Sequence, residues 1–215
     1  MNELQHTAAW HQQRLGIPTA SSIWKVLQRG RGGAPSLTRA RYMAELIAAR
    51  RATDEEPIVP VFDRPMPFEV QWGLFHEDEA RSRYTLKTGN AVEPAPFIRH
   101  PRLDSGASPD GLLGTDGVLE IKCPTQATHL RHLEGVIADE YRFQVQWQLA
   151  CSQRQFAEFV SFDPRWRRDE MLHVQRIERD NELISTMEQA VAEFLDELEE
   201  HCIRLDRLAE QRRAA

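Results

Sequence analysis

The chain has 215 residues, 41% of them hydrophobic and 28% charged, so it can bury one sizeable core and is expected to form a single domain over residues 1–215. No apolar run approaches membrane length, and the first residues lack the apolar segment of a secretory signal. Three cysteines, Cys123, Cys151 and Cys202, form no disulfide framework. These features exclude a membrane protein and a disulfide-stabilised secreted protein, and they predict a cytoplasmic one.

The net charge of −6 is unevenly distributed along the chain. Residues 1–52 carry eight basic and two acidic side chains, whereas residues 182–215 carry nine acidic and four basic ones. Local basic surface, rather than total charge, decides contacts with phosphates. The basic N-terminal part is therefore compatible with a nucleic-acid partner.

Hydrophobic periodicity, together with proline and glycine, predicts helices first, then a sheet, then helices again. The predicted helices lie near residues 19–28, 36–51, 67–88, 126–136 and 139–153. Strands are predicted near 95–100, 104–112, 117–122, 156–162 and 170–178. Prolines interrupt helical structure between residues 53 and 67. Apolar residues recur every three or four positions over 183–205, which predicts one long amphipathic helix.

The first predicted helix closely follows Arg14. Thr19 is the expected N-cap, which would place Ser21 in the first turn with free main-chain N–H groups. A helix N-terminus and a nearby guanidinium together favour anion binding, although a plain capped helix fits these residues equally well. Residues 30–35 form a glycine-rich basic loop that either orders on DNA or is a simple connector.

The third predicted helix carries the first acidic candidate, Glu77. Phe75, Ala80 and Tyr84 are expected to form the buried stripe of this helix. Glu77 would face inward at the edge of the stripe, or it would form an ordinary surface pair with Arg81, four residues on.

The most informative residues are Asp110, Glu120 and Lys122. A hairpin would bring the two carboxylates together, and strand alternation places Glu120 and Lys122 on one face, with Leu119 and Ile121 on the other. Two close carboxylates repel unless a cation lies between them, and oxygen ligands favour Mg²⁺ or Mn²⁺. A solvated hairpin surface is the alternative. The apolar side of the strand favours instead a site for metal-assisted attack of water on a phosphodiester.

The helix predicted at 139–153 presents Tyr141, Gln144 and Gln148 on one face. Tyr141 and Gln144 could donate hydrogen bonds to a water or a phosphate oxygen at the acidic site. The alternative is a glutamine-rich face that is simply hydrated.

These motifs together resemble the phage lambda exonuclease family, the YqaJ-type viral recombinase nucleases of the PD-(D/E)xK superfamily. The similarity keeps the family's order over nearly the whole chain. The matching stretches are Trp10-His11, Arg14-Leu15-Gly16, Thr19-Ala20-Ser21, Trp72-Gly73, Glu77, Ala80-Arg81, Ser108-Pro109-Asp110-Gly111-Leu112, Leu119-Glu120-Ile121-Lys122-Cys123-Pro124, Tyr141, Gln144-Val145-Gln146, Asp163-Pro164-Arg165 and Ile177-Glu178-Arg179-Asp180.

The resemblance implies an α/β (α+β) fold with a restriction-endonuclease-like core: a central mixed β-sheet flanked by helices, followed by the long C-terminal amphipathic helix. It implies a Mg²⁺-dependent 5′→3′ exonuclease, with Mn²⁺ as a substitute and two ions per site. The enzyme would degrade one strand of linear double-stranded DNA and leave a 3′ overhang for a single-strand annealing protein. The family resemblance further implies a homotrimer ring, encoded by a phage or prophage and acting in the bacterial host cytoplasm.

Carried over by position, Asp110 and Glu120 would ligate the metal together with the main-chain carbonyl of Ile121. Lys122 would orient or activate the attacking water, and Glu77 would reach the metal through water.

Other positions would surround the reaction centre or contact the DNA. Gln144 and Tyr141 would line the centre. The positions that would grip the 5′-terminal phosphate are Arg14, Ser21 and Ser108. Arg31 would meet the DNA, and Val70 would wedge the end of the duplex apart.

One position departs from the family pattern, because a basic residue of the lambda enzyme falls at Thr128 here. Arg131, one helical turn further on, would substitute for it.

Three other interpretations remain open from the residues. A PD-(D/E)xK endonuclease or nickase would need an added base-reading element, for which the chain has little room. A DNA-end-binding scaffold would not require both acids and the lysine together. A zinc site at Cys123, His129 and His132 lacks an evident fourth ligand.

Overall fold

The computed structural model describes residues 7–52 and 67–214. Its helices, in chain order, are α1 Ala8–Arg14, α2 Ile23–Leu27, α3 Leu37–Arg51, α4 Phe68–Thr88, α5 Gln126–Leu133, α6 Asp139–Ser152 and α7 Asn181–Ala214. Its strands are β1 Ile98–Arg99, β2 Gly106–Ala107, β3 Gly111–Leu113, β4 Gly117–Lys122, β5 Phe156–Phe162 and β6 Leu172–Glu178. Short 3₁₀ turns at Ala20–Ser22 and Arg31–Gly33 precede α2 and α3.

Four strands form a mixed sheet in the order β3-β4-β5-β6, and β1 and β2 pair separately. β3 and β4 form the predicted antiparallel hairpin, in which Gly111 lies opposite Leu119. β4 and β5 run parallel, with Lys122 opposite Ser161, and β6 is antiparallel to β5. The parallel pair is connected through α5 and α6, because a tight turn cannot join parallel strands. The predicted α/β (α+β) fold with a central mixed sheet is confirmed.

The two faces of this sheet pack against different helices. Leu119 packs with Ala80 and Tyr84 of α4 on one face. On the other face, Val118 belongs to a larger core that includes residues of α2, α3, α6 and α7. Because side chains alternate along β4, Glu120 shares the face of Val118 and lies under α6. The acid is thus built into the interior.

The C-terminal helix α7 confirms the predicted amphipathic pattern and is longer than the predicted 183–205. Asp180 fixes its start, since its carboxylate accepts a hydrogen bond of 3.0 Å from the main-chain N–H of Leu183. Four of its side chains have no exposed surface: Met187, Val191, Phe194 and Leu198. Each contributes about 1.5–3 kcal/mol of burial free energy, so packing against the body stabilises this helix.

Helix α4 has the predicted bounds and buries Ala80 and Tyr84 as predicted, but it does not bury Phe75. It follows Pro67 and ends at Gly89, whose φ of 76° closes the helix in the left-handed region that glycine favours. Phe75 is 80% exposed, so its assignment to the core was wrong. His76 is buried instead and packs on Trp72, with ring centroids 4.1 Å apart.

Several other element predictions need correction. The strand predicted at 104–112 is divided into β2 and β3, and that at 95–100 shrinks to β1. The helix predicted at 126–136 ends at Leu133, and α1 was not predicted. Pro57, Pro60 and Pro65 lie outside the described residues. Within the described ranges, no helix combines the length and apolarity that crossing a bilayer requires.

Candidate active site

The β3–β4 hairpin brings Asp110 and Glu120 to one cleft, as the sequence predicted. The main-chain N–H of Asp110 donates to the carbonyl of Leu119 at 2.9 Å, and the Asp110 carboxylate accepts from the N–H of Ile121 at 2.6 Å. These bonds fix the acid against β4. The cleft, of about 370 Å³, is also lined by Lys122.

The residue after Asp110 must be small. A Cβ added at Gly111 would lie 2.3 Å from Cγ1 of Val92, well inside van der Waals contact. The two residues of the Asp-Gly pair thus serve different purposes. Asp110 supplies a carboxylate to the cleft, and Gly111 allows the segment that contains Val92 to approach the strand closely.

Glu120 is held by three donors. It is 2% exposed, and its Oε1 atom accepts from Gln144 at 2.5 Å and lies 2.6 Å from Lys122 Nζ. Its Oε2 atom accepts from Gln148, also at 2.5 Å. Lys122 Nζ additionally donates to Gln144 Oε1 at 3.2 Å and lies 5.2 Å from the centre of the Tyr141 ring. The glutamine face of α6 is buried, so the alternative of a hydrated face was wrong.

Glu77 satisfies both of its predicted alternatives. Its carboxylate pairs with Arg81 at 2.6 Å, and it also lines the cleft that contains Asp110. The Arg81 guanidinium donates in addition to the main-chain carbonyl of Asp110. One arginine thus ties α4 to the hairpin and brings a third carboxylate towards the other two.

The acids repel one another in this setting. Burial, followed by the negative charges of Glu120 and Glu77, raises the pKa of Asp110 well above its usual value. Burial alone would lower the pKa of Lys122, but the charges of Glu120 and Asp110 outweigh it and raise that pKa. Lys122 therefore stays cationic and acts as a hydrogen-bond donor, while the negative charge of Asp110 is disfavoured by burial and by the neighbouring carboxylates.

The donor set suits a hard divalent cation. Asp110, Glu120 and Glu77 line one cleft, and burial together with the two neighbouring carboxylates raises the pKa of Asp110, so a cation there would be stabilising. Among the described residues, no three side chains of His, Cys, Asp or Glu form a metal-binding group by themselves. The remaining ligands would have to be water and main-chain oxygen, for which the carbonyl of Ile121, another lining residue, is a candidate.

The other end of the cleft is cationic. Arg14 donates to Ser108 Oγ at 2.9 Å and stacks on Trp10, 4.1 Å from the ring centre. Ser21 lines the same cleft, but Thr19 makes no capping hydrogen bond with its side chain. No carboxylate pairs with Arg14 in the part of the chain that the structure describes. A half-buried guanidinium without an acidic partner is a ready anion site.

The remaining predicted DNA contacts differ in position. Val70 lines the cleft and is 48% exposed. Arg31 lies in a 3₁₀ turn and Arg131 on α5, and both are exposed and outside the residues that line the cleft. Thr128 serves in the first turn of α5, where its N–H donates to the Thr125 hydroxyl. The structure thus brings Val70 to the acids but not the two arginines.

The histidines of the zinc interpretation have a structural role. Nδ1 of His129 and Nδ1 of His132 both lie 2.8 Å from the Ser161 hydroxyl, and Nε2 of His129 lies 2.9 Å from the carbonyl of Glu170. Burial, followed by the charge of His129, lowers the pKa of His132 to about 4. Both rings are hydrogen-bonded inside the protein, whereas Cys123 faces the cleft.

Sequence reasoning missed two residues of this site. Gln148 was placed on the right face of its helix, but its direct bond to Glu120 was not predicted. Trp10 was noted only as a motif residue, although its indole N–H donates to Ser108 at 2.9 Å. The spacing of Gln148, four residues after Gln144, was the available signal. Nothing local pointed to Trp10, since 98 residues separate it from Ser108.

The family model described as a YqaJ-like viral recombinase domain matches residues 9–155. Two crystal structures of an alkaline exonuclease, LHK-Exo from Laribacter hongkongensis, are 38% identical to the chain and match 95% of it and 99% of their own length. Their TM-scores are 0.83 and, for the complex with dAMP, 0.84.

A phage related exonuclease from Haemophilus somnus 129PT is 15% identical over 95% of this chain and 99% of its own, with a TM-score of 0.66, which shows a shared fold. A comparison with curated proteins finds no match. The family match covers more than half of the chain, and the 38% identity extends over nearly all of it. This protein therefore belongs to the YqaJ-like viral recombinase family, the lambda exonuclease-type family that its motifs resemble.

Proposed function

We propose that the protein is a Mg²⁺-dependent exonuclease that degrades one strand of linear double-stranded DNA in the 5′→3′ direction and leaves a 3′ overhang. One observation carries the proposal: Asp110, Glu120 and a cationic Lys122 meet in one cleft, and its other end holds the Arg14 guanidinium, which has no carboxylate partner among the described residues. An exonuclease needs a hydrolytic centre and a grip on a chain end. The two ends of this cleft supply residues suited to each.

Mg²⁺, or Mn²⁺ in its place, would supply Lewis-acid polarisation of the scissile phosphate and lower the pKa of a water molecule. Asp110 and Glu120 would hold it, with the Ile121 carbonyl and with Glu77 through water. Lys122 is cationic, so its Nζ orients the attacking water by donating to it. Gln144 fixes Glu120 and Lys122 relative to each other, because its amide contacts both side chains.

The grip on the DNA end would come from Arg14, Ser108 and Ser21. A guanidinium forms charge-assisted hydrogen bonds with a phosphate dianion, and it has no acid to compete for it among the described residues. Val70, at the wall of the cleft, would press against the terminal base pair. The related alkaline exonuclease has been crystallised in complex with dAMP, which is a mononucleotide of the kind that the proposed reaction would release.

The wider assembly is proposed from the family resemblance. Arg31 and Arg131, both exposed, would contact the phosphate backbone away from the cleft. A homotrimer ring would enclose the duplex and make digestion processive, and a single-strand annealing protein would take the 3′ overhang. Sedimentation of the purified protein measures its oligomeric state, and a monomer at working concentration would contradict the proposed ring.

The decisive experiment uses linear duplex DNA with one label at a 5′ end and a different label at the 3′ end of the same strand. With Mg²⁺, the 5′ label should appear first as a mononucleotide, while the 3′ label stays in a polymer. Early release of the 3′ label would overturn the polarity.

Covalently closed circular duplex is the control, since an exonuclease requires an end. Cutting of the circle would favour the endonuclease alternative. If no divalent cation supports nucleotide release, the protein is an end-binding protein rather than an enzyme.

A further inference from the structure

The Ser108 hydroxyl receives two hydrogen bonds at the cationic end of the cleft. The indole Nε1–H of Trp10 and the Nη1–H of Arg14 each donate to Oγ at 2.9 Å. Residues 10 and 14 are both on α1, whereas Ser108 lies between β2 and β3, so the pair also ties the first helix to the segment before Asp110.

These two partners fix the direction of the third bond. An indole N–H and a guanidinium are donors only, and neither can accept a proton from serine. A hydroxyl oxygen offers two acceptor positions, and both are taken. The Ser108 O–H can therefore only donate, and no group among the described residues accepts its proton.

We infer that Trp10 is a positioning residue that makes Ser108 a donor-only group and thereby selects a terminal 5′-phosphate over a 5′-hydroxyl. The inference rests on the proposed function, since it concerns the same chain-end grip. A phosphate dianion only accepts hydrogen bonds, so it matches a site in which serine and arginine both donate. A free serine hydroxyl could instead turn and accept from a 5′-hydroxyl, which would weaken the discrimination.

Trp10 makes a second contact that must be separated from the first. Its ring lies 4.1 Å from the guanidinium carbon of Arg14 and supports that side chain by stacking. Trp10→Phe keeps an aromatic face and removes the N–H together with part of the ring surface. Trp166→Phe is the matched control, because the indole nitrogen of Trp166 is buried without a hydrogen-bond partner in the described structure and the residue lies on the β5–β6 loop.

The experiment measures kcat/KM on duplexes that differ only in a 5′-phosphate or a 5′-hydroxyl at the digested end. W10F should reduce the preference for phosphate, expressed as the ratio of the two kcat/KM values, about five- to tenfold, as expected for one hydrogen bond. W166F should keep the full preference. A uniform loss of activity on both ends would mean a merely structural role and would overturn the inference.

Ser108→Ala provides a second, independent route. It should reduce the preference at least as much as W10F, and adding W10F to S108A should change the preference no further, because Trp10 acts through that hydroxyl. An additional loss of preference in the double variant would overturn the inference, as would an unchanged preference in S108A. Equal rates of the wild type on both ends would instead overturn the proposed phosphate grip itself.

Discussion

The two ends of the cleft differ in the sign of the charge that they carry. At the acidic end, Glu120 is almost fully buried and holds three donors, yet Asp110 nearby still has a raised pKa. At the cationic end, Arg14 contacts a serine and an aromatic ring rather than a carboxylate. Among the described residues, negative charge is concentrated at one end, and the positive charge at the other end has no acidic partner.

This difference indicates what each end is prepared to receive. Excess carboxylate charge favours a cation and disfavours DNA until that cation is bound. The free guanidinium favours an anion directly. We therefore expect metal loading to control hydrolysis without being required for recognition of the chain end, and the following variants separate the two.

Lys122→Ala should have the largest effect, because Lys122 is the only cationic side chain in contact with Glu120 among the described residues. Nucleotide release should fall by about 10²–10⁴-fold, the range for loss of a group that assists proton transfer or water orientation. Binding to duplex ends should persist, since the cationic end is unchanged. Near-normal turnover by K122A would remove the proposed role in orienting water.

Asp110→Asn tests whether repulsion between the carboxylates at the acidic end lowers the stability of the folded protein. The native pKa of Asp110 is raised, so its protonated form contributes stability at low pH that is lost as the pH rises through that value. Without metal, D110N should therefore melt at a higher temperature than the wild type at alkaline pH, because an amide carries no charge.

Metal should reverse this order. Stabilisation of the wild type by Mn²⁺ should increase with pH, since the cation binds the carboxylate and displaces its proton, whereas D110N should show little stabilisation at any pH. Thermal melts from pH 6 to 9, with and without Mn²⁺, measure both effects. A stabilisation that does not depend on pH would show that Asp110 is not a ligand.

Arg14→Ala addresses the cationic end. Loss of a charge-assisted contact worth about 1.5–3 kcal/mol should reduce the preference for 5′-phosphate ends about ten- to a hundredfold, with the pH dependence of metal binding unchanged. Arg14→Lys is the matched variant, because it keeps the charge and loses the planar fork. An equal loss of activity on phosphorylated and hydroxyl ends would show that the terminal phosphate binds elsewhere.

The acidic end could be predicted from sequence because strand alternation is a strict geometric rule. Glu120 and Lys122, two residues apart, must share a face, and the apolar Leu119 and Ile121 show which face is packed against α4. The hairpin then brings Asp110 to the same place. No long-range information is needed for these three positions.

Other features depended on contacts that local patterns do not contain. In α4, both Phe75 and His76 fit a helical stripe, but it is the histidine that is buried, where it packs against Trp72. The cationic end joins residues 94 and 98 positions apart in sequence, so only its motif residues, not its bonds, could be predicted. Arg31 and Arg131 are exposed and lie outside the residues that line the cleft, so their DNA contacts stay predictions.

The smallest effect should come from Gln148→Met, which tests how strictly the acidic end is organised. Its amide is fully buried and donates to Glu120 Oε2, so the substitution leaves that oxygen with one fewer donor and allows the carboxylate to turn. Because residues that orient a metal ligand typically contribute about tenfold to affinity, we expect Mn²⁺ binding, measured by calorimetry, to weaken about tenfold.

Gln146→Met is the control for Gln148→Met, since Gln146 is also buried on α6 but bonds instead to the main chain at Glu178 and Asp180. Q146M should lower the melting temperature, because it leaves the main-chain groups of Glu178 and Asp180 without their hydrogen-bond partner. Its Mn²⁺ affinity should be unchanged, because Gln146 makes no hydrogen bond to Asp110 or Glu120 among the described residues. If Q148M behaves like Q146M, the bond between Gln148 and Glu120 contributes to folding alone, and Lys122 and Gln144 are sufficient to orient the acid. A selective loss of Mn²⁺ affinity in Q148M would show instead that the acidic end depends on all three donors, in contrast to the cationic end, where the guanidinium has no carboxylate partner in the described part of the chain.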